Sequence, residues 1–343
     1  MSAQTAISEV PAIESFPYKK EFLQPEELWT NAVDMNLAPL AVVKVPRIND
    51  PDRPKYWRSI PRNMKWEFQG KMVAFVVSNE AYGKVNKLVD FFSEEPRMKA
   101  RRRDSVSPYD FYQQNHHAVA NKARELSAVS SQPMPFRHWL REAVYEMIPE
   151  CTTFKISVTK SLFKYLGSKI VLDPSAGWGD RLLGAAAAGV EVYHGVDPNP
   201  ALRSAYDDML TFVRGHRCGQ NYYVLTEDFL SVTFVPGSYD TIFTSPPYCD
   251  YEIYSDDPKQ SITGRRTTEI WLTEFLHPYL RKAWDALASK GYFTIYISDT
   301  RHGKYVANMH HFITNELHGN FLGIIAMTNE TFGHGYPIWV WRK

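Results

Sequence analysis

The second half of the chain is built from short apolar runs that alternate with amphipathic segments. The apolar runs predict seven strands, over residues 169–177, 191–199, 222–230, 239–248, 291–299, 320–329 and 337–343. Apolar positions at helical spacing predict helices between them, over residues 180–189, 200–216 and 268–287. Strands that alternate with helices indicate an α/β fold, in which a mostly parallel sheet is covered on both faces.

The last two predicted strands are joined by a short connection. Seven residues, ETFGHGY, separate them, which is too few for a helical crossover, so we expect these strands to pair antiparallel. A seven-stranded, mostly parallel sheet with an antiparallel closing strand is the arrangement of the Rossmann-like class I methyltransferase fold. In open sheets of this kind the ligand site lies at the carboxyl ends of the strands, and both motifs described below lie at such ends.

The first half of the chain is less regular and is punctuated by prolines. It contains a strand-like run at residues 72–78 and helix-like runs at 82–95 and 135–148. Its first residues are polar, as is typical of a mobile terminus. The predicted domain division is a mobile N-terminus at 1–20, an N-terminal extension at 21–150, and a methyltransferase-like domain at 151–343.

The formal net charge is +1, so bulk charge gives no support for nucleic-acid binding. Local charge does, because five of the seven residues at 97–103, here called the basic segment, are basic. We expect these side chains to contact phosphates, and a solvated surface is the alternative. The five residues are Arg97, Lys99, Arg101, Arg102 and Arg103.

The cysteine pattern and the N-terminal sequence argue against a disulfide-rich, zinc-binding, secreted or membrane protein. The three cysteines are scattered without a CxxC pair, which argues against a disulfide framework or a zinc site, and we expect no metal. The N-terminus lacks the apolar core of a secretory signal, and no apolar window approaches the ~18 residues of a membrane span. We therefore expect a soluble intracellular protein, cytoplasmic or nuclear, without a membrane partner.

Residues 171–181, VLDPSAGWGDR, form the first chemical motif, here called the cofactor loop. Gly177 and Gly179 allow close approach of a ligand to the backbone, and the following helix offers free amides. The glycine spacing differs from the GxGxxG of dinucleotide loops. Asp173 leads the loop and can accept from an ammonium group, directly or through water, which suits the methionine part of S-adenosyl-L-methionine. The neighbouring candidates for cofactor contact are Pro174 and Ala176.

Two more acidic residues end the next two predicted strands. Asp197, followed by Pro198, lies where a carboxylate accepts the ribose hydroxyls in nucleotide-binding folds. Asp228 can accept from the adenine amino group, with Phe229 against the ring. A turn or cap role is the alternative for Asp228.

The second chemical motif is Thr-Ser-Pro-Pro-Tyr at residues 244–248, here called the catalytic loop. An exocyclic amino group on a nucleobase is a poor nucleophile, because its lone pair is delocalised into the ring. Ser245 and the carbonyl between Pro246 and Pro247 can accept the two amino protons and hold the lone pair in line with a sulfonium methyl. The prolines make the loop rigid, and Tyr248 offers a face for a base flipped out of the helix.

With these two motifs the chain resembles the DNA amino-methyltransferases, the family that makes N4-methylcytosine and N6-methyladenine. The resemblance covers about residues 150–343, and the family motif is (D/N/S)PP(Y/F). The serine form seen at Ser245 looks most like the cytosine-N4 enzymes. The order of the motifs, with the cofactor loop first, resembles the gamma-type arrangement. That arrangement implies a segment before the first strand that closes over the cofactor, here residues 153–166 with Phe154.

The chain departs from the gamma type because no target-recognition domain follows the last strand. We therefore expect target contacts from residues 21–150 or from residues 249–267, here called the insert. The insert combines aromatic and basic side chains, which suits stacking and phosphate contact, and an ordinary mobile loop is the alternative. Its candidates are Tyr251, Arg265 and Arg266.

The sequence therefore predicts a methyltransferase that uses S-adenosyl-L-methionine and acts on nucleic acid, most simply on N4 of cytosine in DNA. The alternatives within the enzyme class are N6 of adenine in DNA and amino-methylation of RNA, at a cap or internal adenosine N6 or at guanine N2. A silent scaffold subunit with the same fold is the alternative outside that class.

Overall fold

The computed structural model describes residues 15–42, 73–77, 80–265, 267–300, 303–328 and 336–343. Residues 1–14, most of the predicted mobile N-terminus, lie outside the described residues. The strands are β1 (Leu40–Val42), β2 (Val73–Val76), β3 (Arg101–Arg102), β4 (Ile170–Asp173), β5 (Val192–Val196), β6 (Asn221–Leu225), β7 (Tyr239–Thr244), β8 (Glu252–Ile253), β9 (Leu287–Tyr296), β10 (Asn320–Thr328) and β11 (Tyr336–Arg342).

Helices flank these strands along the whole chain. The α-helices are Pro25–Asp34, Glu80–Val85, Leu88–Lys99, Pro108–Gln114, His116–Val129, Phe136–Met147, Ile156–Leu166, Asp180–Ala188, Arg203–Gly215, Thr268–Trp271, His277–Ala286 and Val306–His311. Short 3₁₀ turns occupy Lys19–Glu21, Pro200–Leu202 and Phe229–Ser231. The last two α-helices each adjoin a π-helical turn, at Leu272–Leu276 and Phe312–Glu316.

The main sheet has the strand order β1-β2-β10-β11-β9-β7-β4-β5-β6. Strands β9, β7, β4, β5 and β6 are parallel to one another, and β11 is antiparallel to both of its neighbours, β9 and β10. The seven strands from β4 onward that belong to this sheet therefore have the predicted mostly parallel arrangement with an antiparallel closing strand. The prediction of a Rossmann-like class I methyltransferase fold is confirmed.

Two strands from the first half of the chain extend this sheet. β2 pairs parallel with β10, and β1 pairs antiparallel with β2. Ala74 and Phe75 of β2 are buried, so the strand-like run at 72–78 adds to the same core as the second half. The division of the chain at residue 150 stays a prediction.

Three apolar clusters hold the elements together. One face of the sheet packs on helices that include Ile156–Leu166, Asp180–Ala188 and Arg203–Gly215. The opposite face packs on the segments at 268–286 and 306–316. A third cluster, with Met98, Tyr112 and Leu140, joins the N-terminal helices to one another. Both faces of the sheet are therefore covered, as parallel strands require.

The predicted helix at 82–95 is two helices, Glu80–Val85 and Leu88–Lys99. The break coincides with a tertiary contact, because the Asn86 side-chain oxygen accepts hydrogen bonds from the amide and the hydroxyl of Ser157. The run of apolar residues could not reveal this contact with a distant helix.

Across the ranges that the structure describes, no helix is both long enough and apolar enough to cross a membrane.

Close approach of two helices generates a stability prediction. A methyl group at Gly184 would lie 2.5 Å from Thr159 Cβ and 3.1 Å from the Ile156 carbonyl oxygen. We therefore expect Gly184→Ala to lower the free energy of unfolding by about 1–3 kcal/mol through overpacking, despite the better helix propensity of alanine. Urea unfolding measures this change.

Gly83 provides the matched control, because it is also helical and nothing lies within 4 Å of an added Cβ. Gly83→Ala should leave stability unchanged or raise it by up to ~1 kcal/mol. Equal effects of the two substitutions would contradict the close packing at Gly184.

Candidate active site

A cavity of about 1290 Å³ opens at the carboxyl ends of the parallel strands. It is larger than the ~300–1,000 Å³ that a drug-sized ligand needs, so it has room for a cofactor and a second molecule. The cofactor loop, the catalytic loop and the start of the insert all reach it. The predicted site residues that line it are Arg102, Arg103, Phe154, Pro174, Gly177, Asp197, Pro198, Asp228, Phe229, Ser245, Pro247, Tyr248 and Tyr251.

Asp173 leads the cofactor loop but is fully buried beneath it. Its Oδ2 accepts from Arg181 Nε and from the Tyr193 hydroxyl, both at 2.7 Å, and its Oδ1 accepts from the Ser175 amide at 3.3 Å. The Arg181 guanidinium also donates to the Ser175 carbonyl. Both carboxylate oxygens therefore already accept hydrogen bonds within the protein, and Asp173 does not line the cavity. The contact of Asp173 with a methionine ammonium, directly or through water, stays a prediction.

Gly177 and Asp197 form the middle of the site. Gly177 has a left-handed φ of 58°, and its amide donates to Asp197 Oδ2 at 2.9 Å. Asp197 Oδ1 accepts from the Asn199 amide at 3.0 Å. Burial raises the pKa of Asp197 to about 6, against the opposing effect of these two amides. This carboxylate is therefore ionised at neutral pH and takes up a proton in mildly acidic solution.

Two other glycine-loop candidates lie behind the cavity wall. Ala176 is buried, and its amide donates to the Val196 carbonyl. Gly179 precedes the Asp180–Ala188 helix with φ 96°, and a Cβ there would lie 2.3 Å from Met209 Sδ. These residues shape the loop and lie away from the cavity lining.

Asp228 and Phe229 lie side by side at the end of β6. Asp228 Oδ1 accepts from the Leu230 amide at 3.0 Å, so it caps the short 3₁₀ turn and lines the cavity at the same time. The Phe229 ring is buried against Tyr279, with 5.0 Å between ring centroids. The cap alternative for Asp228 and the ligand-contact prediction are therefore compatible.

The closing segment covers the cavity from the N-terminal side. The Phe154 ring packs edge-on against Tyr296 and Phe243, at centroid distances of 4.9 and 5.3 Å. The Trp178 indole donates to the Thr152 carbonyl at 3.1 Å. The cofactor loop is thus hydrogen-bonded to the residue that directly precedes the predicted closing segment at 153–166.

The catalytic loop follows β7 directly, and three of its residues face the cavity. Pro246 is buried, whereas Ser245 and Pro247 line the cavity together with Tyr248. Cys249 then takes a left-handed φ of 52°, which turns the chain. Burial raises the pKa of Tyr248 well above its usual value, so its hydroxyl stays neutral.

A second aromatic residue supports Tyr248 from behind. The Tyr305 hydroxyl donates to the Tyr248 carbonyl at 3.3 Å, and the two ring centroids lie 6.4 Å apart at an angle of 74°. Tyr305 is itself buried against Trp271. The position of the catalytic loop is therefore fixed by packing from the opposite face of the sheet.

The basic segment is not one surface, which corrects the prediction for Arg97, whereas the phosphate contact of Lys99 stays a prediction. Arg97 is 2% exposed and forms ion pairs with Asp90 and with Glu150 Oε2, the latter at 2.6 Å. Lys99 is exposed but pairs with Glu95 and does not line the cavity. Arg97 cannot contact a phosphate, because its guanidinium is buried and already paired with two carboxylates.

Two other residues of the basic segment, Arg102 and Arg103, line the cavity beside the insert. β3 pairs antiparallel with β8, with Arg101 opposite Ile253. The Arg103 amide donates to the Tyr251 carbonyl at 3.0 Å, and its guanidinium pairs with Asp250 at 2.9 Å. Two segments that the sequence predicted separately as nucleic-acid contacts are thus one structural unit.

The two arginines at the far end of the insert are a different case. Arg265 donates to the Ser261 carbonyl and lies 5.9 Å from the Phe275 ring centroid; both of these residues line the cavity, but Arg265 itself does not. Arg266 lies outside the described residues.

Several cavity residues were missed by the sequence reasoning. Lys155 and Asp180 line the wall beside Phe154, and Tyr279 lies under Ser175 with 2.7 Å between the hydroxyls. Asp180 and Arg181, which directly follow Gly179, could have been predicted as site residues, because charges in the first turn of a buried helix need partners.

Comparisons with known proteins were made with this geometry in hand. No protein-family model matches the chain, and no curated protein matches it. Among solved structures, the magnesium protoporphyrin IX methyltransferase of Synechocystis PCC 6803 with bound S-adenosylmethionine is 13% identical, covering 68% of this chain and 94% of that chain, with a TM-score of 0.39.

Two further solved structures are similar at the same level. The 1,6-didemethyltoxoflavin-N1-methyltransferase of Burkholderia thailandensis is 14% identical, covering 55% of this chain and 77% of that chain, with a TM-score of 0.37. A tRNA methyltransferase of Aquifex aeolicus is 12% identical, covering 54% and 67%, with a TM-score of 0.32. The fold assignment rests on the strand order, not on these alignments.

The burial of Arg97 generates a stability prediction. Arg97→Met would leave Asp90 with only Lys19 and Glu150 with only Arg141 as cationic partners, and removing one member of a buried ion pair costs about 3–5 kcal/mol. We expect a loss of that size in the free energy of unfolding, measured with urea.

Arg101→Met is the control, because Arg101 is exposed in the same segment. It should change stability by no more than about 0.5 kcal/mol. Similar losses for both variants would contradict the buried role of Arg97.

Proposed function

We propose that this protein transfers a methyl group from S-adenosyl-L-methionine to the exocyclic amino nitrogen of a nucleobase. One observation carries the proposal: the cofactor loop and the catalytic loop line the same cavity, at the carboxyl ends of neighbouring parallel strands. Gly177 and Asp197 belong to one side of that cavity, and Ser245 and Tyr248 to the other.

The cofactor side offers a separate group for each part of the nucleoside. In this proposal Asp197 accepts from the ribose hydroxyls, and it is already oriented by the amides of Gly177 and Asn199. Asp228 accepts from the adenine amino group, and Phe229 packs on the adenine ring. Phe154 closes the site from the N-terminal side.

The catalytic loop supplies the acceptor side. In the proposed reaction the amino nitrogen attacks the methyl carbon of the sulfonium, the carbon–sulfur bond breaks, and its electron pair stays on sulfur. The nitrogen then loses a proton to solvent water. Ser245 and the carbonyl between the prolines accept hydrogen bonds from the amino group and direct its lone pair at the methyl group. Tyr248 stacks on the base and fixes its plane.

The mouth of the cavity favours a nucleic-acid acceptor over a small metabolite. Arg102, Arg103 and Tyr251 line it together, and cations beside an aromatic ring suit a backbone phosphate next to a flipped base. We propose DNA as the acceptor and cytosine N4 as the target atom, because the motif at Ser245 has the serine form.

The test is incubation with methyl-labelled S-adenosyl-L-methionine and single- or double-stranded DNA or RNA, followed by mass spectrometry of the digested nucleosides. N4-methylcytosine from DNA supports the full proposal. Formation of N6-methyladenine, or of any amino-methylated RNA nucleoside, would support amino-methylation but would identify a target other than cytosine N4 in DNA. A protein that binds the cofactor and methylates none of these substrates is a silent scaffold or acts on another acceptor.

The catalytic loop predicts a contrast between two substitutions. Tyr248→Ala removes a stacking surface worth about 1–3 kcal/mol, so single-turnover methyl transfer should fall by about 5- to 150-fold while S-adenosylhomocysteine affinity stays nearly unchanged. Tyr248→Phe keeps the ring and should retain most of the rate. Ser245→Ala should lower the rate more than it weakens nucleic-acid binding. Full activity in Tyr248→Ala would show that this loop does not hold the base.

The pKa of Asp197 predicts a pH dependence of binding. Because burial raises this pKa to about 6, the carboxylate gains a proton as pH falls through that value and accepts hydrogen bonds less well. Affinity for 5′-methylthioadenosine, which carries the ribose but no amino acid, should drop about tenfold between about pH 7.5 and pH 5. Calorimetry measures this affinity.

Asp197→Asn should bind more weakly and lose this pH dependence. The other charged groups that act on Asp197 are Asp173 and Arg181, which pair with each other. A pH profile that survives in Asp197→Asn would assign the titration elsewhere.

A further inference from the structure

We propose that the amino-acid end of the cofactor lies between Asp180 and Lys155: Asp180 accepts from the ammonium group, and Lys155 pairs with the carboxylate. This inference rests on the proposed function. It assigns the contacts with the amino acid to Asp180 and Lys155, whereas the sequence predicted Asp173 for the ammonium group.

The first step is that Asp173 is not available. Its carboxylate is 0% exposed, and its oxygens already accept from Arg181, Tyr193 and Ser175. Asp173 does not line the cavity, and an ammonium group bound directly to its Oδ2 would compete with the Arg181 guanidinium, a buried cation that needs this partner. The zwitterion therefore needs a different anionic partner in the same cavity.

Asp180 has the properties of that partner. It lines the cavity in the first turn of the Asp180–Ala188 helix and is 2% exposed. The Phe154 amide hydrogen-bonds to its carboxyl group, whereas Oδ1 has no hydrogen-bond partner among the described residues. A buried carboxylate oxygen without a partner is costly. A rotation of this short side chain toward the cavity, which Asp180 already lines, would present Oδ1 to a ligand.

The electrostatics around Asp180 favour a bound cation. Burial raises the pKa of this carboxyl to about 7, although Arg181 and Arg97 act to lower it. Asp90 adds to the increase. Arg181 and Arg97 are each paired with another carboxylate, so neither neutralises Asp180. An ammonium group would replace the proton that Asp180 holds in part of the molecules near neutral pH.

Lys155 supplies the opposite charge one residue after the Phe154 amide that contacts Asp180. It directly follows Phe154, lines the cavity and is exposed to it. It is also the residue before the 11-residue Ile156–Leu166 helix, whose N-terminus favours an anion. A carboxylate at this place meets both the side-chain ammonium and the positive end of the helix.

The experiment pairs protein variants with ligands that lack one group each. The four ligands are S-adenosylhomocysteine, 5′-S-(3-carboxypropyl)-5′-thioadenosine without the amino group, 5′-S-(3-aminopropyl)-5′-thioadenosine without the carboxylate, and 5′-methylthioadenosine without either. Calorimetry gives each affinity.

Asp180→Asn should weaken the two amino-bearing ligands about 10- to 100-fold and change the other two by less than about twofold. Lys155→Met should weaken only the two carboxylate-bearing ligands. Asp207→Asn and Lys164→Met are matched controls, because both residues are exposed and neither lines the cavity; they should change no affinity.

Unchanged affinities in Asp180→Asn would overturn the inference and leave the proposed function intact. An equal loss for all four ligands would also overturn it, because a structural role weakens every ligand alike. A wild-type protein that binds none of the four would contradict the proposed function itself.

Discussion

The buried ion pair between Asp173 and Arg181 is the interaction on which the rest of the site depends. It connects the end of β4 to the first turn of the next helix, and the Tyr193 hydroxyl and the Ser175 backbone complete its hydrogen bonds. A charge pair taken out of water is stable only when its remaining donors and acceptors are satisfied. The geometry of this pair therefore fixes the turn in which Gly177 offers its amide to Asp197. A single polar contact thus determines where a ligand can approach the backbone.

The sequence was informative where local chemistry decides the structure. Alternating strands and helices predicted the sheet and its closing pair, and the residues that end β4, β5, β6 and β7 predicted where the site lies. These signals are local, because a strand end and the loop after it are read from consecutive residues. Asp197, Asp228 and Tyr248 could be named as cavity residues for that reason.

Long-range pairing is what the sequence could not show. Arg97 and Arg103 look alike in a basic run, yet one is buried between carboxylates and the other lies at the cavity mouth. The difference arises because β3, only two residues long, pairs with a strand about 150 residues later. Asp173 illustrates the same point: its position in the motif is clear, whereas its partner Tyr193 comes from another strand.

The N-terminal helices are joined to the site by a closed set of buried charges. Asp90, Glu94 and Glu150 meet Lys19, Arg97 and Arg141, three acidic and three basic side chains. Because the ion pairs share members and connect three elements and the segment after the Phe136–Met147 helix, a change in one member alters the charge balance of the others. Related chains should therefore inherit this cluster as a unit, or replace it as a unit by apolar residues of similar volume. The presence of the whole cluster in a related chain would therefore indicate that its N-terminal helices are attached in the same way.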